Sequence, residues 1–490
     1  MTGNRRDDLL VVVAALVPLA LYVARETRVA GAAGFPLDDA WIHLHFARNL
    51  ASGAGFSYNP GVPVAGSTAP LWTLLLAGAV ALFGASVAVA KALGVACALA
   101  AALVLRRAAL AWGAPPPVAV VAAVALLWCG PFAWGALSGM EVTLAALLVA
   151  GALLAVARER MLWTAVCGSL AVLARPEALL LLPLLFAAAR PTPRRVIVFV
   201  VIVAAALAPM IAFSYATVGA PYPATAAAKV EGGLLGWLAG VREPAARLWL
   251  TRPWQFTREW IGWLFATHWL LPLAVLPGVP LAWRRVGPAL GVPALALVIH
   301  PIGMALLAPY RGPAFQEGRY SIHLLPLALV VLAATLGAAL ERRRRAALLA
   351  WLALALLSLG PASERYAWGV QNINAMQVHL GHWVDAQLPR SATLAVNDIG
   401  AIAYVSRRRV IDLMGLVTPE ILPYRREGEA GVLRYVQERC PDYLIIFPTW
   451  FPALAQRTDL FEPIYSVRLE RVEVSGGPEM VVYRTRRCAV

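Results

Sequence analysis

The sequence is poor in charged residues, in lysine and in cysteine. Asp, Glu, Lys and Arg make up 14% of its 490 residues, whereas soluble domains have roughly a quarter. Hydrophobic residues make up 60%, and the mean hydropathy is +0.69. Such a chain has too little polar surface to be covered by water alone. Lipid must therefore cover much of it, and a fully soluble protein is excluded.

The formal net charge of +15 does not indicate a nucleic-acid partner. Residues 361–490 carry 15 arginines and 14 acidic residues, so the excess lies in residues 1–360, in short clusters between apolar runs. This distribution is typical of the positive-inside rule, and it forms no basic face for binding phosphates. Lys91 and Lys229 are the only lysines in the sequence, which makes each one a candidate for a specific role.

The five cysteines show no metal-ligand spacing. Three of them lie in apolar runs, namely Cys97, Cys129 and Cys167. Cys440 and Cys488 can pair with each other or remain two free thiols, and the sequence leaves both alternatives open. No small-residue cleavage site follows the first apolar stretch, so residues 9–25 are predicted to be a retained membrane helix.

Apolar runs that approach the roughly 20 residues of a bilayer span recur over residues 9–360. The predicted helices are 9–25, 69–84, 88–105, 115–134, 140–157, 162–189, 196–214, 266–283, 288–308, 322–340 and 346–360. Arg175-Pro176-Glu177 interrupts the stretch 162–189, which is either one kinked helix or two short helices. The sequence therefore predicts a polytopic α-helical membrane protein with about 11–13 transmembrane helices.

The arginine clusters predict the orientation of these helices. The clusters assigned to the cytoplasmic side are Arg5/Arg6, Arg194/Arg195, Arg284/Arg285 and Arg342–Arg345. The regions that then face outside are the loop 26–68, the segment 215–265, the loop 309–321 and the tail 361–490. Counting 162–189 once leaves Arg106/Arg107 and Arg158/Arg160 outside, against the rule. Counting it as two helices makes the number of membrane crossings inconsistent near residues 69–90. Two helix counts that differ by one therefore stay open.

Two domains are expected, a transmembrane domain over residues 1–360 and a small extracytoplasmic α/β domain over residues 361–490. In the tail, strands are predicted at 392–397, 409–413, 443–447 and 480–484, and helices at 371–387 and 428–440. The tail has no Gly-rich phosphate-binding fingerprint, so we expect it to bind an acceptor or to serve in packing. The tryptophan-rich part of segment 215–265 is predicted to lie at the outer membrane interface.

Two adjacent carboxylates, Asp38 and Asp39, begin a predicted helix in the outer loop. A helix over 38–50 places Asp38, Ile42, His45 and Asn49 on one face, at spacings of 4, 3 and 4 residues. Adjacent carboxylates can supply a general base or bind a divalent cation such as Mg²⁺ or Mn²⁺. The alternative is that the pair only caps an amphipathic helix. The spacing leaves both readings open.

The continuation of this loop carries a resemblance to a known superfamily. It reads Asp38-Asp39-Ala40-Trp41-Ile42, Ala47-Arg48-Asn49-Leu50, Gly53-Ala54-Gly55-Phe56, Asn59-Pro60-Gly61 and Pro70-Leu71-Trp72. This pattern resembles the first extracytoplasmic loop of the GT-C glycosyltransferases, and most closely that of the cell-wall terminal arabinofuranosyltransferases. Weaker matches follow in order at Ser138–Glu141, Arg175–Glu177, Pro223–Thr225, Gly318–Tyr320, Asn397–Ala401 and Val410–Leu413. The likeness covers nearly the whole chain.

The resemblance implies a membrane enzyme that transfers a sugar, with arabinofuranose as one candidate, from a polyprenyl-phosphate donor. The acceptor is a glycan, lipid or protein at the outer face of a bacterial plasma membrane, and the transfer inverts the anomeric centre. The acidic pair maps onto Asp38 and Asp39, with Asp38 preferred as the base. His45 and Ala65-Gly66-Ser67 depart from the usual residues of the family, which affects the identity of the substrate.

Cations on the outer face are suited to neutralise the departing phosphate. Lys229 and Arg319 are the candidates for donor-phosphate binding. The candidates for other substrate contacts are His45, Arg48, Asn49, Tyr320 and His323. Arg175 and Glu177 are expected to pair with each other inside the bundle, as intramembrane charges commonly do.

The main rival interpretation is a transporter or flippase of lipid-linked sugars. Transporters often contain internal repeats with paired broken helices, and the sequence shows no repeated half. The other rival interpretation is a structural or assembly protein. This interpretation does not explain the carboxylate pair.

Overall fold

The computed structural model describes residues 2–230, 232–238, 240–307, 310–337 and 344–486. The first helices are α1 (Thr2–Ala14), α2 (Leu16–Ala30), α3 (Asp39–Ala51), α4 (Pro70–Phe83), α5 (Val87–Ala111), α6 (Pro116–Leu127), α7 (Gly130–Leu137), α8 (Val142–Ala157), α9 (Met161–Ala174), α10 (Leu182–Ala188), α11 (Pro193–Val218), α12 (Ala224–Ala228) and α13 (Gly233–Leu238). The chain in this half is therefore almost entirely helical, as the apolar runs predict.

The second half contains further helices and a sheet. The helices are α14 (Arg252–Thr267), α15 (Pro272–Val275), α16 (Gly278–Leu281), α17 (Pro288–Ala294), α18 (Ala296–Leu307), α19 (Phe315–Gly318), α20 (Leu325–Leu336), α21 (Arg344–Ile373), α22 (His379–Gln387), α23 (Gly400–Ser406), α24 (Leu422–Arg426), α25 (Glu429–Arg439) and α26 (Pro452–Ala455). The strands are β1 (Thr393–Val396), β2 (Arg409–Asp412), β3 (Tyr443–Ile446), β4 (Phe461–Arg468) and β5 (Glu479–Thr485).

The chain divides into two compact units. The bundle unit comprises Met1–Ala24, Lys91–Pro209 and Val230–Glu364. The sheet unit comprises Arg25–Ala90, Met210–Lys229 and Arg365–Val490. The sheet unit thus draws on three stretches that are distant in sequence, and the outer loop of the sequence analysis belongs to it. The predicted domain boundary at residues 360–361 falls inside α21.

Among the described residues, six helical segments are long and apolar enough to cross a bilayer, or seven if the bent pair α6–α7 counts as one span. The six segments are Arg5–Ala30, Val87–Ala111, Pro193–Val218, Pro288–Leu307, Phe315–Leu336 and Arg345–Gln387. Shorter apolar helices are α4, α8, α9 and Pro176–Ala188. The stretch 162–189 is two helices, because Arg175 is extended, with φ −145° and ψ 116°, and Pro176 begins a new helix. The alternative with two short helices is therefore correct.

Small residues and ion pairs hold the helices of the bundle unit together. Gly94 of α5 lies against the Ala136 carbonyl of α7, and it also accepts a hydrogen bond from Thr143 Oγ1 at 3.0 Å. Such close backbone approach needs a residue without a side chain. At one end of the bundle, Arg106 donates to Asp8 at 2.7 Å, which joins the C-terminal part of α5 to α1. The ends of these two helices therefore lie together.

The sheet unit is built around five strands in the order β2-β1-β3-β5-β4. Strands β2, β1 and β3 are parallel, and β5 and β4 add antiparallel pairs. The predicted strands at 392–397, 409–413, 443–447 and 480–484 match β1, β2, β3 and β5. The sequence analysis missed β4, in which Pro463 interrupts the strand pattern and a bulge follows between Pro463 and Tyr465. An edge strand tolerates both features.

Both faces of the sheet are covered. One face packs on Met376, Leu380 and Val384 of the helical segment 374–387 and on Ile42 and Phe46 of α3. The other face packs on Ile421, Val432 and Val436, which lie in and around α24 and α25. The outer loop is thus part of the hydrophobic core of the sheet unit. Burying these apolar residues stabilises the contact by about 1.5–3 kcal/mol for each large side chain.

The tryptophan side chains between residues 237 and 263 are of two kinds, exposed and buried. Trp237, Trp249 and Trp254 are mostly exposed, whereas Trp260 and Trp263 of α14 are buried. Trp260 donates its ring N–H to the Leu297 carbonyl of α18 at 2.9 Å. The exposed rings suit the predicted interfacial position, and the buried ones attach α14 to the bundle.

Candidate functional site

Asp38 occupies the residue before the first turn of α3, but it does not cap that helix. Its side chain makes no capping hydrogen bond. Instead its two carboxylate oxygens accept hydrogen bonds from the backbone N–H groups of Gly400, at 2.5 Å, and Ala401, at 2.7 Å. The capping alternative of the sequence analysis therefore does not describe Asp38. The carboxylate connects the outer loop to the start of α23.

The contact between α3 and α23 requires a residue without a side chain at position 400. A Cβ atom at Gly400 would lie 2.7 Å from the Asp38 carboxyl carbon, closer than real Cβ contacts come. Asp38 itself is only 7% exposed. Gly400 thus gives Asp38 room to reach two backbone donors at once.

A second carboxyl group, Asp398, lies close enough for its charge to act on Asp38. Gln377 Nε2 donates to Asp398 Oδ2 at 2.6 Å. Burial raises the pKa of Asp38 well above its usual range, and the charge of Asp398 raises it further. Burial also raises the pKa of Asp398, although the hydrogen bond from Gln377 opposes this change. Gln377 lies in a π-helical turn at Asn374–Val378, a feature often found at functional sites.

Asp39 points to a different environment. Its carboxylate is 4.0 Å from Lys229 Nζ, and the two side chains are 32% and 21% exposed. Both groups are thus open to solvent, whereas the neighbouring Asp38 is not. The structure brings together two of the predicted functional groups, an acid and a cation, that are 190 residues apart in the sequence.

Lys229 is held by the short helix α12, which it terminates. Thr225 of this helix donates its hydroxyl to the Gly66 carbonyl and also, at 3.2 Å, to the Leu416 carbonyl. Ala224 N–H donates to the Ala65 carbonyl at 2.8 Å. A side chain at Gly66 would collide with Val417 and Phe46. The Ala65-Gly66-Ser67 departure noted in the sequence therefore lies where the outer loop meets α12.

His45, Arg48 and Asn49 make their hydrogen bonds within the sheet unit. Asn49 Nδ2 donates to the Ser57 and Tyr58 carbonyls at 3.0 and 2.8 Å. Arg48 Nη1 donates to the Tyr404 carbonyl at 2.8 Å, and its guanidinium lies 4.2 Å from the centre of the Tyr404 ring. These groups attach α3 to the loop that follows it and to α23.

His45 is neutral in this arrangement. Its Nε2 is 2.9 Å from the Tyr58 carbonyl, which only accepts, and its Nδ1 is 3.2 Å from Arg48 Nη2, which only donates. The partners therefore place the proton on Nε2. Burial, and secondly the charge of Arg48, lowers the pKa of His45 to about 3.

Arg319, Tyr320 and His323 belong to the bundle unit. Arg319 Nη2 donates to the Tyr320 hydroxyl at 3.0 Å, and the Arg175 guanidinium lies 4.8 Å from the centre of the same ring. Both ring nitrogens of the buried His323 lack a hydrogen-bond partner among the described residues. The three predicted residues are therefore close in sequence and buried, in a polar part of the bundle.

The Arg175–Glu177 pair expected inside the bundle is present, with N–O distances of 3.1 and 3.2 Å. Arg175 also contacts Glu141 at 2.5 Å, a partner that the sequence did not assign.

The three residues that precede Arg319 in the chain have positive φ angles. These angles are 48° at Gln316, 61° at Glu317 and 75° at Gly318. Two adjacent non-glycine residues in this region are strained.

The donor set around the acidic pair does not fit a divalent cation. Both oxygens of Asp38 face N–H donors, and Asp39 faces an ammonium group. Among the residues that the structure describes, no group of three or more His, Cys, Asp or Glu side chains could hold a metal ion.

Sequence reasoning did not assign Asp398, Gly400 or Gln377 to the site. Asn397–Ala401 stood out only as a motif, because nothing local links it to Asp38, 360 residues away. The glycine directly after an Asn-Asp-Ile turn was the available signal, since such a glycine often permits a close backbone approach.

The sequence left open whether Cys440 is a free thiol or part of a disulfide. In the structure Cys440 is disulfide-bonded. Cys488 lies outside the described residues.

Comparisons with known proteins address the fold. Residues 371–483 match a family described as a domain of unknown function, DUF8728, which covers less than half of the chain. No curated protein matches the chain. Several solved structures are similar over almost its full length.

One similar structure is that of ArnT from Cupriavidus metallidurans bound to undecaprenyl phosphate. It has a TM-score of 0.61 at 14% identity, covering 96% of this chain and 97% of ArnT. Another is the oligosaccharyltransferase AglB from Archaeoglobus fulgidus with an inhibitory peptide and a dolichol-phosphate. Its TM-score is 0.60 at 13% identity, covering 97% of this chain and 74% of AglB. AglB has also been crystallised with Zn and sulfate, with a TM-score of 0.55 to this chain.

Identities this low show the fold alone. The chain has the fold of these ArnT and AglB structures, mainly helical with a small C-terminal sheet, and this confirms the predicted fold class of a polytopic α-helical protein with a small C-terminal α/β domain.

Proposed function

We propose that this protein is a membrane glycosyltransferase that takes a sugar from a polyprenyl-phosphate donor and adds it to an acceptor hydroxyl group. The observation that carries the proposal is the accessible Asp39 carboxylate with Lys229 Nζ 4.0 Å away. A base and a cation at this separation match the two charges that change during the reaction, the hydroxyl proton and the departing phosphate. ArnT, which shares the fold, is described with undecaprenyl phosphate bound, and AglB with a dolichol-phosphate.

In the proposed reaction, groups of this chain take up the proton and offset the charge of the leaving phosphate. The acceptor oxygen attacks the anomeric carbon, its proton passes to a carboxylate of the Asp38–Asp39 pair, and the bond between that carbon and the phosphate oxygen breaks. The polyprenyl phosphate leaves with the bonding electrons, and Lys229 offsets its charge. A single displacement of this kind inverts the anomeric centre. Arg319 remains our second candidate for a phosphate ligand, and Tyr320 and His323 remain candidates for substrate contacts.

We place the reaction at the outer face of a bacterial plasma membrane. The disulfide at Cys440 supports this location for the sheet unit, because disulfides persist in oxidising compartments and are rare in the cytosol. The acceptor is a glycan, lipid or protein of the cell envelope. Polyprenyl-phosphate arabinofuranose is the first donor to test, on the strength of the sequence resemblance.

The test uses the purified full-length protein in detergent with a panel of polyprenyl-phosphate sugars. Mass spectrometry measures free polyprenyl phosphate and glycosylated acceptor. We expect the wild type to consume one donor and Asp39→Asn to be slower by about 100-fold or more, the loss typical of a missing general base. The control is Asp459→Asn, an exposed carboxylate of the tail paired with Arg457. A protein that moves the donor across vesicles but never cleaves it would overturn the proposal in favour of a flippase.

A further inference from the structure

We propose that Thr225 is a positioning residue for Lys229. Its hydroxyl joins the short helix α12 to two other segments of the sheet unit, and this joint holds the Lys229 ammonium group beside Asp39. A second positioning residue, Asp412, fixes the shape of one of these two segments. The effect on sugar transfer rests on the proposed function, whereas the position of Lys229 does not.

The helix that carries Lys229 is too short to be stable by itself. α12 has five residues, Ala224–Ala228, and Lys229 follows directly as its C-cap. Isolated helices shorter than about 12 residues are marginal in water, so contacts with other segments must hold a helix of this length. The position of Lys229 therefore depends on the segments to which α12 is attached.

These attachments lie in the first turn of α12. Thr225, which is 7% exposed, donates its hydroxyl to the Gly66 carbonyl of the outer loop. The Leu416 carbonyl accepts from the same hydroxyl at 3.2 Å. The Ala224 N–H donates to the Ala65 carbonyl at 2.8 Å. One buried hydroxyl group thus joins three segments that are far apart in the sequence.

Leu416 belongs to the β2 loop, residues 413–418, which follows strand β2. The buried carboxylate of Asp412 accepts hydrogen bonds from two N–H groups of this loop, those of Met414 at 2.8 Å and Val417 at 2.9 Å. Short-range hydrogen bonds of an Asp side chain to the following backbone fix the shape of a turn. Leu416 lies between the two donors, so Asp412 determines where its carbonyl meets Thr225.

The spacing within α12 connects this joint to the charge of Lys229. Thr225 and Lys229 are four residues apart, so they lie on the same side of the helical turn. Lys229 Nζ is 4.0 Å from a carboxylate oxygen of Asp39. Asp39 belongs to α3, so its position is set separately from that of α12. Releasing Thr225 from its acceptors therefore changes the distance between the two charges while both side chains remain present.

Carbodiimide cross-linking of the full-length protein in detergent reports this distance. The reagent activates an accessible carboxyl group, and an amine in contact with that group then forms an amide bond with it. Lys229 is one of only two lysines in the sequence, so peptide mass spectrometry identifies the Lys229–Asp39 product directly. We expect the wild type to form this cross-link. No substrate is needed, so the result is independent of whether the protein transfers sugars.

The decisive variant is Thr225→Val, which has nearly the same shape but lacks the hydroxyl. We expect the yield of the Lys229–Asp39 cross-link to fall about threefold or more, the scale of one lost hydrogen bond. Thr225→Ser keeps the hydroxyl and should cross-link like the wild type. The control is Thr458→Val, at an exposed threonine of the tail. Asp412→Asn should give an intermediate yield, because its amide can accept from only one of the two N–H groups.

Transfer kinetics test whether Thr225 acts through Lys229. With the donor that the wild type consumes, we expect Thr225→Val to lower kcat/KM by up to about 100-fold, the cost of displacing a reacting group by ~1 Å. In a Lys229→Met background the same substitution should have little further effect, because the group that it displaces is absent. A threonine that only stabilises the fold would lower activity in both backgrounds.

Two cross-linking results would overturn the proposal. One is a wild type that forms no Lys229–Asp39 cross-link, and the other is a Thr225→Val protein that forms it as well as the wild type. Size-exclusion chromatography verifies folding, and Thr225→Ala takes the place of Thr225→Val if that variant aggregates. Cross-links that change as expected in a protein without transfer activity support the positioning role and refute the proposed function alone.

Discussion

Lys229 is the residue whose charge the proposed reaction uses most directly. Its ammonium group is 4.0 Å from Asp39, and it ends a short helix held by Thr225. We predict that Lys229→Met lowers kcat/KM for the donor about 100-fold, the typical loss for one group that stabilises developing charge. Lys229→Arg should recover part of this activity because it restores the charge. Equal activity in all three proteins, measured by release of polyprenyl phosphate, would remove Lys229 from the mechanism.

His45 makes the stability of the sheet unit depend on pH. Its pKa is lowered to about 3 in the folded protein, from 6.5 in the unfolded chain. The unfolded state therefore binds more protons between these values, and stability falls as the pH drops below 6.5. The loss reaches about 2 kcal/mol at pH 5, since one pKa unit corresponds to about 1.4 kcal/mol.

The measurement is the thermal midpoint of the purified protein at pH 7 and pH 5. We predict that His45→Gln reduces the difference between the two midpoints, because the glutamine can still donate to the Tyr58 carbonyl but cannot titrate. His382→Gln, an exposed histidine of the same unit, is the control and should leave the difference unchanged. An unchanged pH dependence in His45→Gln contradicts this account.

For single residues, the sequence located the acidic pair but did not predict that Asp38 and Asp39 differ in solvent exposure. The spacing of Asp38, Ile42, His45 and Asn49 predicts one helix face, and α3 forms where expected. Exposure is a property of the neighbours, however, and those of Asp38 come from the loop 398–401. No local pattern could assign Asp38 to the interior and Asp39 to solvent.

Among the elements, α4 bears on the helix count that the arginines left open. Asp8 of α1 and Arg106 near the end of α5 are in contact, which favours one side of the membrane for both. We infer that the chain enters and leaves the region 31–86 on the same side, and that the 14-residue α4 does not span. Removing α4 and counting 162–189 as two helices keeps the total at eleven. We infer that every arginine cluster of the sequence analysis then faces the cytoplasm.

Cysteine labelling in intact cells tests this topology. Ser86 and Arg107 are both exposed, near opposite ends of α5. We predict that a membrane-impermeant maleimide labels Ser86→Cys from outside, whereas it labels Arg107→Cys only after lysis. Thr458→Cys in the tail should react like Ser86→Cys. Labelling of Arg107→Cys in intact cells would reinstate α4 as a span.

Each element that the sequence misjudged has its own physical cause. Strand β4 was missed because Pro463 removes a backbone donor, which matters less at the edge of a sheet than in its centre. The predicted helix 371–387 belongs to a helical segment that runs from Arg345 to Gln387, across the expected domain boundary. Hydropathy falls where a helix leaves the lipid, but its backbone hydrogen bonds continue.

For the whole molecule, the redox state of Cys440 reports the compartment of the sheet unit. Cys440 is disulfide-bonded, whereas Cys97, Cys129 and Cys167 are free. We predict that the three free cysteines react with a maleimide in denatured, unreduced protein, and that Cys440 reacts only after reduction. Peptide mass spectrometry distinguishes the four sites. Labelling of Cys440 without a reductant would remove the support that the disulfide gives to an outer location.

The sequence by itself determined that the chain has the composition of a membrane protein, that its apolar runs alternate with arginine clusters, and that an acidic pair opens a helix in the loop 26–68. These properties follow from local composition and periodicity, which depend on the solvent around each segment. The tertiary structure alone decided that Asp38 binds the backbone of Gly400 and Ala401, and that Asp39 meets Lys229. Such contacts join residues 190 to 363 positions apart. Only the packing of the outer loop onto the C-terminal sheet brings them within hydrogen-bonding distance.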